Sequence, residues 1–577
     1  MGCKITQVEE IYSGNVEVTF PDGDKKEFPK PLYLANLLKY PSLSSPDIIG
    51  LMINGTAFSL NSRITFGIAK VDPIERKSSE GLALYKRTLV KIFATAVYSL
   101  YSKQFNVQIN HNVNNGYLVR KSNDNEFTEE EIKKIKNKMD DLIKKDLIIE
   151  EAELSHDEAL DYFKSINHKY SASLIESNNE DVIRCSCLDK FYSLLFRPLG
   201  KSTGIITDFD VRLSSDKSSL LLLFPTNINP IPKDLKDIET KLTTQSYLDS
   251  FKYSKSINIE CVGDWNKIVI SSPEKLKQLM KSMNEHQEKE ISKIADKIEE
   301  KVLKHNSKFI GIAGPSASGK TTFSKKLGQL LKKKGIEPIV ISMDDYYKKT
   351  EDAPRDEKGN HDFECLEALR IDDFNKDLAK LFKGEEINRC VFDFVKGTYS
   401  YIKSDVLKFP DKNSGKKGVV VCEGLHGIDE RATPSIPREE KFFIYIAPLT
   451  PIHSDEYNFF GDYILRLYRR LVRDFRTRGR NASKTLQSYF SVAKGEEKYI
   501  FPFIDSSDLI WNSSLDYEVS VLYSFVYPLL RTVAVTDPNY YLARYLMDTM
   551  TNYLPISDED IENTHILREF IGGSIFE

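Results

Sequence analysis

Gly314-x-x-x-x-Gly319-Lys320-Thr321 is the stretch of this chain whose residue types and spacing state a chemistry most directly. Glycines let a backbone approach a phosphate closely. Successive N–H groups and the start of a following helix then cradle the phosphate oxygens, while Lys320 neutralises charge and Thr321 reaches Mg²⁺. The expected phosphate-binding set is Gly314, Pro315, Ser316, Ala317, Ser318, Gly319, Lys320, Thr321 and Thr322. Two acids follow downstream: Pro338-Ile-Val-Ile-Ser-Met runs into Asp344-Asp345-Tyr346-Tyr347, and Gly418-Val-Val-Val-Cys ends at Glu423. Either acid alone could equally be a helix cap or a turn residue. Together, at the ends of apolar runs, they suit Mg²⁺ and proton chemistry beside the phosphates. A basic segment, Arg466 to Arg480, places Arg466, Arg470 and Arg473 near one helical face. Such guanidinium forks suit a transferring phosphoryl group, although taken alone the segment also reads as a solvated basic face or a nucleic-acid patch.

The elements that must position these groups are legible around them. Phe309, Ile310 and Ile312 predict a strand into the loop, and Phe323, Leu327 and Leu330 fall at helical spacing after it, with Gly335 as the stop. Apolar strands ending in functional residues predict an open α/β sheet, which binds ligands at the carboxyl ends of its strands.

With these motifs in hand, the chain from about 308 to 531 resembles the phosphoribulokinase/uridine kinase family of P-loop kinases. Asp362-Phe363-Glu364, Phe392-Asp393-Phe394, Cys422-Glu-Gly-Leu-His426-Gly427 and the Arg469 to Arg480 run occur in the family's order. The resemblance implies a parallel sheet flanked by helices and ATP and Mg²⁺ as cofactors, which makes the phosphate-binding set an ATP site. It implies Asp344 as the general base for a nucleoside 5′-hydroxyl, and Thr321, Asp344 and Glu423 as the metal environment. Lys320, Arg473 and Arg478 would stabilise the γ-phosphoryl, the last two from a closing lid. Substrate contacts would come from Tyr347, Phe363, Glu364, Phe392, Phe394, Arg470 and Arg480. The implied reaction gives UMP or CMP from uridine or cytidine, a step of pyrimidine salvage. The chain departs from the uridine-cytidine kinases at the nucleoside: the ribose aspartate becomes Glu364, a tyrosine becomes Phe392, the base-reading histidine falls on Gly397, and the glutamine falls near Ser488. Lost polar partners alter specificity more than phosphoryl chemistry. A kinase for another nucleoside or sugar is therefore the first alternative, and a nucleotide-regulated RNA-binding protein the second.

The chain is long enough for two to four domains at 577 residues. A net charge of -4 with both signs interspersed exerts no global pull toward nucleic acid. Seven scattered cysteines argue for reduced thiols and a cytoplasmic setting. Cys185 and Cys187 could form half a metal site, but no second Cys or His pair has matching spacing, so ordinary thiols are expected. No run approaches the ~20 apolar residues of a membrane helix, and no signal-peptide core is present. Met1-Gly2-Cys3 to Thr6 fits an N-myristoylation pattern at Gly2.

Four regions are expected: 1–70, 71–255, 256–306 and 307–577. The first holds strand-like runs, Asn15 to Phe20 and Ile48 to Ile53, about a turn at Pro21 to Asp24, and resembles a ubiquitin-like module ahead of threonyl-tRNA synthetases. The second resembles the second additional domain of threonyl- and alanyl-tRNA synthetases. Where that editing domain carries a metal-binding His pair, this chain has Arg87 and Lys91, so zinc and editing are not expected, and RNA binding is the weaker expectation against scaffolding. The third is a charged connector helix with Ile291, Ile294, Ile298 and Val302 on one face. The fold class is thus α/β, a P-loop kinase domain preceded by small β-grasp-like and α+β synthetase-like domains. Family members often form tetramers, and the tail Ile566 to Gly573 is expected to dock on the kinase unit.

Overall fold

A computed structural model of the chain describes residues 13–226, 229–355, 359, 361–410, 416–459 and 461–576. The Gly2 pattern lies outside these residues. Asn15–Thr19 (β1), Lys25–Pro29 (β2), Ile48–Ile53 (β3), Thr56–Phe58 (β4) and Ile68–Glu75 (β5) form a sheet in the order β2-β1-β5-β3-β4. β1 and β5 run parallel and the other pairs antiparallel, so both strand-like runs lie in one mixed sheet, whose strand β5 runs to Glu75, past the expected boundary at 70. Val16, Val18, Leu51 and Val71 point to one buried face, as period-2 alternation dictates.

Ser79–Tyr101 (α1) follows, capped by Ser78, whose side chain accepts from the Gly81 amide. Next come Val107–Val113 (β6), Gly116–Lys121 (β7) and Glu129–Lys144 (α2), the acidic helix, which starts on a reciprocal capping box between Thr128 and Glu131. Glu150–Ser155 (β8), His156–Ser165 (α3), Lys169–Glu176 (α4), Val182–Leu188 (β9), Phe191–Leu194 (β10), Asp210–Leu213 (β11) and Leu220–Leu223 (β12) complete the α+β part. Its two sheets are ordered β8-β9-β10 and β11-β12-β7-β6.

Lys241–Ser256 (α5), Val262–Ser271 (α6) and the 33-residue Pro273–His305 (α7) lead into the second half. Phe309–Ala313 (β13), Lys320–Lys333 (α8), Ile336–Ser342 (β14), Ile371–Lys383 (α9), Ile387–Asp393 (β15), Thr398–Leu407 (β16), Lys417–Glu423 (β17), Lys441–Ala447 (β18), Asp462–Thr477 (α10), Ala482–Tyr499 (α11), Leu509–Asn512 (β19), Glu518–Arg531 (α12), Tyr540–Met550 (α13) and Arg568–Ile571 (α14) follow. The sheet β14-β17-β13-β18-β19 is parallel throughout. β13 and β18 are buried at every position, as strands covered on both faces are, and only Lys441 at the start of β18 interrupts their apolar run.

The halves share a core. Ala159, Phe163 and Trp265 belong to one buried cluster with Ile310, Leu327 and Tyr517, and the Trp265 Nε1–H donates to Ser520 Oγ at 2.8 Å. α5 packs on β19: Tyr247 and Phe251 join Phe309 and Phe443, and Ser254 Oγ donates to buried Asp516 at 2.7 Å. The connector face is likewise buried, with Ile291, Ile294, Ile298 and Val302 in the shared cluster. A loop before α10 closes the seam, where the buried Glu456 carboxylate accepts from the Tyr170 and Ser171 amides at 2.8 and 3.2 Å. No described helix is long and apolar enough to cross a membrane.

Candidate active site

The loop between β13 and α8 opens onto a cavity of about 1630 Å³, whose walls are built from all the strand ends expected from the sequence. Gly314 lies where a Cβ would meet Ile446 O at 2.3 Å, so the loop can pass β18 only with glycine there. Gly319 has φ +90°, and Ala317 also sits in the left-handed region at +61°. Ser316, Ala317, Gly319, Lys320 and Thr321 face the cavity. Ser318 and Thr322 are buried behind it, and Gly314 and Pro315 form the back of the loop. Lys320 Nζ curls onto the loop, donating to Gly314 O at 2.9 Å and Pro315 O at 3.1 Å.

Opposite lie the acids. Glu423, at the end of β17, is 5 % exposed, and burial with the neighbouring Asp344 charge pushes its carboxyl up to about 7, against the pull of Lys320. Thr321 Oγ1 is 3.5 Å from Glu423 Oε1. Asp344 and Asp345 both border the cavity, but Asp345 accepts from the Phe392 amide at 3.2 Å and thereby pins β15; burial raises it to about 6. A hydroxyl and two acids that repel one another make an all-oxygen set that a hard divalent cation would relieve, so these residues fit Mg²⁺ held with phosphate oxygens. Among the described residues no group of three or more His, Cys, Asp or Glu gathers as a metal cluster. Cys185 and Cys187 are buried free thiols on β9.

The basic segment forms α10. Arg470, Arg473, Arg478 and Arg480 border the cavity. Three of them lean on one fully buried carboxylate, Asp474: Arg473 at 2.9 Å, Arg470 at 3.3 Å and Arg478 at 3.6 Å. Positive charge is therefore in surplus, and burial together with Arg473 pushes Arg478 down to about 10. Arg473 Nη2 also donates to Ser316 Oγ of the loop at 3.4 Å. Arg466, on the same expected face, is instead buried in an ion pair with Glu496 at 2.6 Å. Arg469 is fully buried against Glu518. The helical period put these arginines on a face, but acids from α11 and α12 decided which ones are neutralised.

Tyr347, Phe363, Phe392 and Phe394 make an aromatic wall, with Phe392 and Phe394 centroids 5.1 Å apart and Tyr347 5.7 Å from Phe392. Glu364 stands beside it with Oε2 lacking a hydrogen-bond partner, and burial and Glu496 raise its carboxyl to about 7. His426 holds the Glu364 main chain, its Nε2 lying 3.0 Å from Glu364 O, and does not line the cavity. Gly397 has φ +65°, and a Cβ there would lie 2.2 Å from Thr350 Oγ1.

Three groups escaped the sequence reading. Glu496 accepts from the Ser316 amide at 3.1 Å. Gln487, next to Ser488, lines the cavity. The tail residue Glu569 also lines it, accepting from the Thr322 amide at 3.1 Å and hydroxyl at 2.6 Å. The tail is docked by buried Ile566, Leu567 and Phe570 and by Arg476, which donates to Phe570 O at 2.8 Å. No local motif marks any of the three.

Residues 309–520 match the family described as Phosphoribulokinase / Uridine kinase. The threonine–tRNA ligase of Paraburkholderia xenovorans is 30% identical over 197 residues, 34% of this chain and 31% of that protein. The chain thus spans about a third of that relative's length, and the likeness lies in the N-terminal half. Among solved structures, a possible uridine kinase from Bacillus stearothermophilus is similar at 19% identity and TM-score 0.24, covering 36% of this chain and 89% of that one. A putative fructose transport system kinase from Silicibacter sp. TM1040 is similar at 16% identity and TM-score 0.26, covering 38% and 98%. The match to the phosphoribulokinase/uridine kinase family thus covers residues 309–520, somewhat over a third of the chain.

Proposed function

We propose that the cavity transfers the γ-phosphate of ATP to the 5′-hydroxyl of a pyrimidine nucleoside, uridine or cytidine. The observation that carries this reading is the juxtaposition, in one cavity, of the phosphate loop, Asp344 and Glu364, the aromatic wall and the α10 arginines. Asp344 accepts the proton of the attacking hydroxyl. Lys320 leaves its two carbonyls for the phosphates, where it replaces neutral partners with charged ones. Arg473 and Arg478, in excess over Asp474, stabilise charge spreading over the transferring group, and closure of α10 excludes water. Thr321 and Glu423 would hold Mg²⁺ with Asp344; when bound it neutralises the β- and γ-oxygens. Glu364 Oε2 offers a buried acceptor to a ribose hydroxyl, and an aromatic wall offers the base a face.

A second acceptor class, another nucleoside or a sugar, is favoured by Gly397. The position where uridine-cytidine kinases read the base has no room here for a side chain. The test is coupled ADP release by the full chain with ATP and Mg²⁺ over uridine, cytidine, other nucleosides and sugars. Turnover on uridine or cytidine that Asp344→Asn abolishes while ATP binding persists is expected. Turnover confined to sugars overturns the nucleoside assignment, and turnover surviving in Asp344→Asn overturns the mechanism.

A further inference from the structure

A second cavity, of about 360 Å³, lies at the seam between the halves and takes no part in the chemistry above. Its size falls within the range of small-molecule pockets. One wall is α1, from Leu82 to Ala94; the others are the end of β10 with Phe196 and Arg197, the 454–459 loop, the first turn of α10 at Tyr463, and α13 at Tyr545 and Asp548. Arg87 and Lys91, the two positions singled out on α1, both reach it, one helical turn apart as their i, i+4 spacing requires.

The charges in this cavity are unequal. Lys86, Arg87, Lys91 and Arg197 line it, and Asp548 is the carboxylate among its described lining residues. Arg87 is committed to Glu80 at 2.8 Å and to Pro198 O. Lys91 Nζ is fully engaged by Ser186 O, Phe191 O and Ser193 Oγ at 2.8–2.9 Å, and burial pushes it down to about 7. Arg197 is different. Its side chain is 9% exposed, Nη1 stands 3.6 Å from Asp548, and Nε and Nη2 have no hydrogen-bond partner among the described residues. The guanidinium instead stacks on Tyr545 and Tyr541, at 4.6 and 5.0 Å from the ring centroids. A buried cation with two unanswered N–H donors is costly, and the planar fork is shaped to bind an oxyanion with two parallel hydrogen bonds. Aromatic rings complete the lining: Tyr117 and Phe459 meet edge-on at 5.8 Å, and Tyr463 Oη lies 3.0 Å from Tyr545 Oη.

We infer that this cavity is a ligand site for a small aromatic oxyanion, a phosphate monoester or a carboxylate, held by the Arg197 fork with its ring among Tyr117, Phe459 and Tyr545. The site is independent of the acceptor that the kinase cavity uses. Asp548 would yield to the ligand, since its contact with Arg197 is beyond hydrogen-bond range and it is 43% exposed.

The test uses 4-fluorophenyl phosphate, 4-fluorobenzoate and inorganic phosphate as probes on the full-length protein, with ¹⁹F line broadening for the first two and calorimetry for all three. Saturable binding of one fluorinated probe is expected, weakened at least tenfold in Arg197→Gln and unchanged in Arg473→Gln, which alters only the kinase cavity. The two fluorinated probes separate phosphate from carboxylate, and tighter binding than inorganic phosphate shows that the ring is recognised. Arg197→Lys keeps the charge but not the fork, and should fold and bind with intermediate affinity if the glutamine variant fails to fold. Binding lost in Arg473→Gln but kept in Arg197→Gln would place the probe in the kinase cavity and overturn the inference. So would the absence of saturable binding by both fluorinated probes.

Discussion

Glu569 puts a carboxylate on the loop proposed above to hold the ATP phosphates. Its Oε2 accepts both the amide and the hydroxyl of Thr322, in the first turn of α8, so these donors already have a charged partner before any phosphate enters. A hydrogen bond to a charged group contributes about 1.5–3 kcal/mol net, and two donors sharing one oxygen are best counted as a single such interaction. Nucleotide binding must give this up and also bring phosphate charge toward a carboxylate. Glu569→Gln keeps the side-chain size and removes the charge, so ATP should bind on the order of tenfold tighter, with about 100-fold as the upper limit set by 1.4 kcal/mol per decade. Calorimetric titration of ATP with Mg²⁺ into both proteins measures this. The melting temperature should scarcely change, because Ile566, Leu567 and Phe570 still dock the tail. An unchanged or weaker ATP affinity in Glu569→Gln would refute the reasoning, since the carboxylate would then lie outside the nucleotide's path or help to hold it.

Two further outcomes follow from buried carboxylates. Asp474→Asn leaves Arg470, Arg473 and Arg478 without their common counter-charge, which should cost about 3–5 kcal/mol in a denaturant titration, partly restored by phosphate; a loss under about 1 kcal/mol would mean solvent already screens the cluster. Burial pushes Asp516 from the ordinary 3.8 up to about 7, so its contribution to stability is fully present below pH 3.8 and is lost as pH rises through 7. Stability measured against Asp516→Asn should therefore decline with pH across that window, by roughly 4 kcal/mol at most, and a flat difference would show the acid is charged in the fold.

The parts of the site that the sequence disclosed are those built by local patterns. A phosphate loop is a strand, a turn and a helix start in one continuous stretch, and Asp344 and Glu423 each terminate an apolar strand of the same sheet. The aromatic wall of Tyr347, Phe363, Phe392 and Phe394 came only from the resemblance to the kinase family, since no local pattern sets those residues apart. What remained hidden depends on partners far along the chain. Arg466 and Arg473 are indistinguishable by helical period, and only Glu496, thirty residues after Arg466, draws the former away from the cavity. Glu569 reaches Thr322 across 247 positions through a tail with no strong periodicity. Two strands of the N-terminal sheet, β1 and β3, were legible as strand-like runs, whereas the sheet's mixed order and the packing of α5 on β19 were not, because Tyr247 and Phe251 carry no mark of which apolar surface they will meet.

The shared core bears on how variants of this protein would be interpreted. Phe163 and Trp265 lie in the same buried cluster as Ile310, beside the phosphate loop, so a cavity opened at either is felt by both halves as lost stability. A screen for kinase-deficient alleles should therefore return substitutions from the synthetase-like half that never touch ATP or acceptor, distinguished from active-site alleles by recovery at lower temperature. Mapping such alleles onto the chain would outline the seam, and their position alone would be no sign of signalling between the halves.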